Sequence, residues 1–568
     1  MGVNIRQINA LVVDDSPVIL SSIRRMLVQV GIQDKHIYHA KDPKAAIWHA
    51  KKISFDLIVC DYNFHAKLNG KQVFEELKHY NLITSNTSFI VITGESLSKI
   101  VRSIIELNPD EYILKPFNSA FFLNKVRNTL ERKNRLKKLY ELKEQRKYQE
   151  GLAACDEAEF DCPKYYYLIQ KFRAEFFSLL NMHKEAKDLY KTIIIDRDVE
   201  WANNGLADSL LELGEFSEAQ KVIERMLDKM PNSTKALSLN AKYDIYNGEI
   251  PNAIKQYSMI SDLVPGNPDR ELIIANLCVS QSDFETAASR FMMYYNINLD
   301  TYRDSLEARY NYIRCLLFIY DYQESPGQLD PERTKKQKSL KSEAISEFHS
   351  LSQLKEKNDV VVTKDSQEHQ EVRHIEQELF MCHISIIEGR FNESMVLLKH
   401  IYNNKLAHEF YDLYHLLYLL NKLNYHNEFN QTVKSLEKII EESDISPMVL
   451  KSRIELVHSL VNQNKHLIAK IDETYDESQK LINSGRYSEA VDKLIELKLM
   501  TPYIREVNSS IINCLGHSWP SGYTGRNTKR LLENCMDICE QLYTHDEIVS
   551  MNIKKMHSLA EEKLSKHF

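Results

Sequence analysis

The chain has 568 residues, 43% of them hydrophobic and 27% charged, with a formal net charge of −7. That length exceeds a single core and implies several domain-sized units or a repeat array, and the composition excludes a disordered chain while the acidic balance excludes a general attraction to nucleic acid. The opening residues carry no apolar leader and no apolar run approaches the roughly 18 residues of a membrane helix, so the expectation is a cytoplasmic chain without membrane insertion.

Residues 10–13 (Ala-Leu-Val-Val) and 57–60 (Leu-Ile-Val-Cys) are short, continuous apolar runs. Such runs suit strands buried on both faces of a parallel sheet. Asp14 and Asp15 follow the first, and Asp61 follows the second. Carboxylates at the C-terminal ends of parallel strands converge in one crevice, where they repel one another and call for a cation. Oxygen-only ligands suit magnesium, which keeps waters and also accepts phosphate oxygens. A third run, residues 89–92, ends in Thr93, whose hydroxyl can donate to a phosphoryl oxygen; a fourth, residues 112–114, ends in Lys115, the counter-charge that phosphoryl transfer requires. On this reading Asp61 is a nucleophile toward a phosphoryl group.

In order and spacing, residues 1–130 resemble the receiver domain of two-component response regulators. The resemblance implies a flavodoxin-like α/β fold with a five-stranded parallel sheet in the order 2-1-3-4-5. It implies Asp61 as phosphoacceptor, and Mg2+ bound directly by Asp15 and Asp61, through water by Asp14, and by the main-chain carbonyl of Asn63. Thr93 and Lys115 are implied to stabilise the phosphoryl group, Thr93 and Tyr112 to form the switch pair, and the peptide before Pro116 to be cis. Asn63 and Glu95 stand where this family flanks the path of attacking water. The pair resembles that of fast self-dephosphorylating receivers, so a short phosphoryl lifetime is expected. Receivers of this family dimerise through the fourth helix (here residues 96–106), fifth strand and fifth helix, so a homodimer is one expectation; Ile100, Ile104 and Ile105 facing the core is the other.

Residues 131–147 continue in strong helix formers without Gly or Pro, which predicts an uninterrupted helix leaving the receiver. Beyond it a period emerges. Gly214, Phe216, Ala219, Ile223 and Pro231 recur 34 residues on as Gly248, Ile250, Ala253, Tyr257 and Pro265. A third copy keeps Phe284, Ala287 and Phe291 with Ser282 in the glycine place, and Ala207, Ala241 and Ala275 recur upstream. Small residues let two antiparallel helices approach, glycine ends the first helix, and proline stops the second. The register returns at Gly485, Tyr487, Ala490, Leu494 and Pro502, and at Gly389, Phe391 and Leu398 with Ser394 in the alanine place. The pattern resembles the tetratricopeptide repeat and predicts about six to nine units between roughly 132 and 515. The resemblance implies an all-α superhelix that binds protein segments.

The expected organisation is a receiver at 1–130, a helical linker and first array at 131–321, a flexible insertion at 322–370 that is rich in Lys, Gln, Ser and Glu, and a second array with a C-terminal cap at 371–568. Nine cysteines without a Cys-x-x-Cys pair predict reduced thiols. No catalytic output motif or basic recognition surface is legible, so no separate enzymatic output and no nucleic-acid partner are expected. The resemblance implies a sensor histidine kinase as phosphoryl donor and another protein, a response regulator among the candidates, as the occupant of the repeats. The alternative is a phosphate sink or shuttle that competes for a shared histidine kinase without partner switching.

Overall fold

Five short strands, β1 (Ala10–Val13), β2 (Ile37–Ala40), β3 (Leu57–Asp61), β4 (Ser88–Thr93) and β5 (Glu111–Leu114), form one parallel sheet in the order β2-β1-β3-β4-β5. This is a computed structural model, and it describes residues 5–64, 67–94, 98–322, 331–359 and 367–567. Helices α1 (Pro17–Val30), α2 (Pro43–Ala50), α3 (Gly70–His79), α4 (Ser98–Glu106) and α5 (Ser119–Arg135) connect and flank the strands. The strand period of two divides the apolar residues between two faces. Val12, Leu57, Val59, Ile90 and Ile92 pack with Ile23 and Leu27 of α1 and Phe122 and Val126 of α5. Leu11, Val13, Ile58, Cys60 and Val91 pack with Ala46 of α2, Val73 and Leu77 of α3, and Ile104 of α4. Each large aliphatic side chain so buried contributes about 1.5–3 kcal/mol. Ile104 is therefore core, whereas Ile105 is 47% exposed; the Ile100 side chain lies outside the described residues.

The helix leaving the receiver is interrupted. Leu136 departs from helical backbone at φ −103° and ψ 15°, and α6 (Lys137–Glu144) begins beyond it. Leu136 is buried with Leu139 and Leu142 in the first helical core, and that burial outweighs the helix propensity of its neighbours.

Among the described residues, all elements that follow are helical. Hairpins pair α6 with α7 (Tyr148–Asp161), α8 (Tyr166–Leu179) with α9 (His183–Asp196), α10 (Glu200–Glu212) with α11 (Phe216–Lys229), and α12 (Thr234–Tyr246) with α13 (Ile250–Leu263). Helices α14 (Pro268–Ser280) and α15 (Phe284–Asn298) come next, and further pairs are α16 (Glu307–Tyr322) with α17 (Pro331–Asp359), α18 (Gln367–Ile387) with α19 (Phe391–Asn403), α20 (Phe410–Lys422) with α21 (His426–Glu442), and α22 (Pro447–Asn483) with α23 (Tyr487–Met500). Helices α24 (Arg505–Leu515), α25 (Gly525–Leu542), α26 (His545–Ser550) and α27 (Ile553–His567) follow. The chain forms two compact units, Met1–Arg270 with Tyr295–Ser305, and Glu271–Tyr294 with Leu306–Phe568.

One turn geometry recurs. Arg146, Asn181, Gly214, Gly248, Ser282, Gly389, Asn424 and Gly485 all have φ between 50° and 77° and end the first helix of a hairpin. The amide after each reaches back to the helix, as in Glu215 N to Leu210 O at 2.9 Å and Tyr425 N to Leu420 O at 2.9 Å, which closes the paired C-cap that left-handed backbone permits. Ala207, Ala219, Ala241, Ala253, Ala275, Ala287, Ser394 and Ala490 are fully buried at the helix contacts. Gly205 belongs with them, since a Cβ there would meet the Tyr190 ring at 2.1 Å.

The stretch expected to be a flexible insertion contains α17, whose Leu340, Ala344, Phe348 and Leu351 pack against Tyr310, Ile313 and Leu317 of α16. Those four apolar residues make a helical stripe that the polar composition around them concealed. Residues 323–330 and 360–366 lie outside the described residues. Among the described residues no helix is long and apolar enough to cross a membrane.

Candidate functional site

The order β2-β1-β3 reverses direction at β1, and a crevice opens beyond the C-terminal ends of β1 and β3. Asp61 is the last residue of β3 and is 8% exposed; Asp14, directly after β1, is 1% exposed. Carboxylate oxygens of Asp14, Asp15 and Asp61 all lie within 4.8 Å of one another. The Lys115 amine enters from the end of β5, 2.9 Å from Asp14 Oδ2 and 3.1 Å from Asp61 Oδ1. Main-chain donors hold both acids: Ser16 N donates to Asp14 Oδ1 at 2.8 Å and Tyr62 N to Asp61 Oδ1 at 2.9 Å.

Burial pushes the Asp61 carboxyl above its ordinary range; Lys115 opposes this and Asp14 adds to it. The three clustered acids offer an oxygen-only donor set of a kind that fits a hard divalent cation such as Mg2+. Thr93 closes β4 and is fully buried, and Lys115 N donates to Thr93 O at 2.7 Å. Tyr112 on β5 is 37% exposed. Asn63 is exposed two residues beyond Asp61, Lys115–Pro116 is a cis peptide, and Glu95 lies outside the described residues.

Two further features were not legible in the motif. A Cβ on Gly70 would meet the Asp61 carbonyl oxygen at 2.3 Å and Tyr62 Cα at 2.8 Å, so the first residue of α3 rests directly on the backbone of the acidic strand end. Gly70 N donates to Tyr62 O at 2.7 Å, and Asn69 and Gln72 form a capping box around the same turn. The Asn69-Gly70 pair was the available signal. Tyr62 is the second feature: its hydroxyl donates to Ser103 Oγ at 3.2 Å and ties α4 to the residue after Asp61.

Gly70→Ala is expected to destabilise this α/β fold by about 1–3 kcal/mol, because the methyl group meets backbone that cannot turn aside. Thermal melting measures the loss, and wild-type melting would show that the approach is not required.

Residues 10–127 match the family model described as the response regulator receiver domain. The chemotaxis response regulator CheY4 of Vibrio cholerae is 23% identical over 21% of this chain and 97% of its own, with a TM-score of 0.20. YrrB, described as a TPR protein with an unusual peptide-binding site, is 18% identical over 31% of this chain and 90% of its own, with a TM-score of 0.23. The TPR domain of P58(IPK) is 14% identical over 63% of this chain and 92% of its own, with a TM-score of 0.20. The N-terminal part of the chain is thus a receiver domain, the mark of a two-component response regulator. A long helical region of tetratricopeptide-like hairpins follows it.

Proposed function

We propose that this chain is a phosphorylation-controlled adaptor. Asp61 accepts a phosphoryl group from a sensor histidine kinase, and the helical repeats hold a protein partner whose binding depends on that charge. The observation that carries the reading is the Asp61 carboxylate at a buried strand end, 3.1 Å from the Lys115 amine and clustered with Asp14 and Asp15.

In the transfer an Asp61 carboxylate oxygen forms the new O–P bond while the P–N bond to the donor imidazole breaks and that nitrogen keeps the electron pair. Lys115 supplies positive charge beside the attacking oxygen, and Thr93 offers a hydroxyl to a phosphoryl oxygen. Asp14, Asp15, Asp61 and the carbonyl of Asn63 would hold Mg2+, which when bound neutralises the phosphoryl oxygens. Tyr112 acts with Thr93 as the switch pair. Asn63 and Glu95 set the rate of hydrolysis, with a short phosphoryl lifetime expected.

The repeats support the second half of the reading. Stacked helical hairpins present continuous side-chain surfaces that suit peptides, helices or whole domains. To test it, wild type and Asp61→Ala are immobilised with and without beryllofluoride and Mg2+, and retained proteins are compared. A set that changes with beryllofluoride only in wild type is the expected result; identical sets under all conditions would overturn partner control and leave the phosphate sink.

A further inference from the structure

At the N-terminal ends of the strands, the end of the sheet opposite Asp61, a cavity of about 580 Å3 lies between the receiver and the first helical hairpins of the same unit. Its walls come from α3, the loops that lead into β4 and β5, and helices α5, α6 and α8. Polar contacts hold those walls in place. Ser85 N and Oγ donate to Glu144 at 2.9 and 2.8 Å, Arg132 Nη2 donates to the Asp110 carbonyl at 2.6 Å, and Lys133 pairs with Asp110 at 2.8 Å. A space of this size is in the range of small-molecule sites, roughly 300–1,000 Å3.

The lining is cationic although the chain as a whole is acidic. Lys78, Arg132, Lys133, Lys143 and Lys171 line it together with three acids, Asp110, Glu144 and Glu175. Lys143 is paired with Glu175 at 2.6 Å, and Lys133 takes Asp110. Among the described residues neither Lys78 nor Lys171 has a hydrogen-bonded or ion-paired acceptor, and the buried Nε of Arg132 has none either. The Lys78 amine lies 4.3 Å from the Phe74 ring centroid and the Lys133 amine 4.2 Å from that of Tyr140, so aromatic faces fix these cations without neutralising them. Loss of water lowers the Lys78 and Lys171 amines below their ordinary 10.5, and Lys143 adds to this in both. Cations gathered in this way are stabilised by an anion among them.

We propose that this cavity binds a compact phosphate polyanion, the diphosphate of a nucleotide or free diphosphate, through Lys78, Lys171 and Arg132. An excess of cations concentrated in one cavity calls for two or more negative charges on one small ion. An acidic peptide spaces its carboxylates along the chain at about 3.3 Å per residue, which suits a groove rather than a closed space. Ammonium groups meet phosphate oxygens as point charges, and a guanidinium meets them as a planar fork. The site lies apart from the acidic crevice and stands whether or not Asp61 is the phosphoacceptor.

The test is isothermal titration of the full chain with sodium diphosphate, ADP and a hexaglutamate peptide, in buffer without Mg2+ so that the acidic crevice repels all three. Diphosphate or ADP is expected to bind, and Lys78→Ala and Lys171→Ala are each expected to weaken that binding about 10–100-fold, the loss of one charged hydrogen bond. Glu175→Gln, which removes a competing negative charge, is expected to tighten it roughly threefold. ADP binding more tightly than diphosphate assigns the site to a nucleotide, and the reverse order assigns it to the free ion. Because Lys78 is exposed, its variant keeps the test open if Lys171→Ala folds poorly. Absence of binding at millimolar diphosphate and ADP, wild-type affinity in the lysine variants, or a preference for hexaglutamate would overturn the proposal.

Discussion

Asp61→Asn is expected to lose phosphoryl incorporation from a small-molecule donor such as acetyl phosphate by at least about a thousandfold, as when an enzyme loses its nucleophile. Asparagine matches the shape of the carboxylate and can still accept from Tyr62 N, so the defect is chemical rather than architectural. A stability measurement separates the two. The folded Asp61 carboxyl lies above its ordinary value of 3.8 through burial, so the folded state holds its proton more tightly than the unfolded state does. Ionising it therefore costs stability as pH rises above about 4. Without Mg2+ the asparagine variant should melt higher than wild type near neutral pH, and the difference should shrink toward pH 4. An inactive variant that melts lower at neutral pH would mean that the carboxylate is structural.

The features legible in the sequence are those written locally. Val12, Val59 and Val91 lie in uninterrupted apolar runs because their strands are covered on both faces, and the acids at the ends of the first two runs had to share one crevice. Strand β2 carried no such signal, since its Tyr38 and His39 are only half-buried at the sheet edge. The repeat period was readable where glycine supplied the left-handed turn. It faded where Asn181, Asn424, Ser282 or Arg146 takes the same conformation at some cost in backbone energy. The contacts of Lys71 with the Gly266 carbonyl and of Glu76 with Tyr302 N were not readable. Lys71 and Glu76 lie on an amphipathic helix where charges ordinarily face water, and Lys71 meets its partner carbonyl across 195 residues of sequence.

The second large effect is expected in the other unit. Asp321, at the end of α16, has a side chain only 5% exposed and accepts from His383 Nε2 at 2.9 Å and from the Tyr418 hydroxyl at 2.8 Å, and it pairs with Lys422. His383 Nδ1 lies 2.9 Å from His415 Nε2, which extends the network to a second ring of α20. Burial pushes the Asp321 carboxyl up, but Lys422 and His383 together outweigh it and hold the group below its ordinary value of 3.8. Burial also lowers His383 and His415 below their ordinary 6.5, which favours the neutral rings in the folded state.

Asp321→Ala leaves a partly buried lysine, an imidazole and a phenol without their shared acceptor, and is expected to destabilise this unit by about 3–5 kcal/mol. The pH dependence carries the same signature. A folded histidine below its ordinary value favours the folded state above about pH 6.5 and costs stability as pH falls through that point. Stability due to Asp321 is present above its ordinary value and lost as pH falls below it. Wild type should therefore weaken in two steps, below about pH 6.5 and again below about pH 4, and the second step should be smaller in Asp321→Ala. Denaturant titrations at a series of pH values, following the aromatic signal of this unit, measure both. A flat wild-type profile between pH 7 and 5, or an alanine variant within about 1 kcal/mol of wild type, would mean that the network does not hold the helices together.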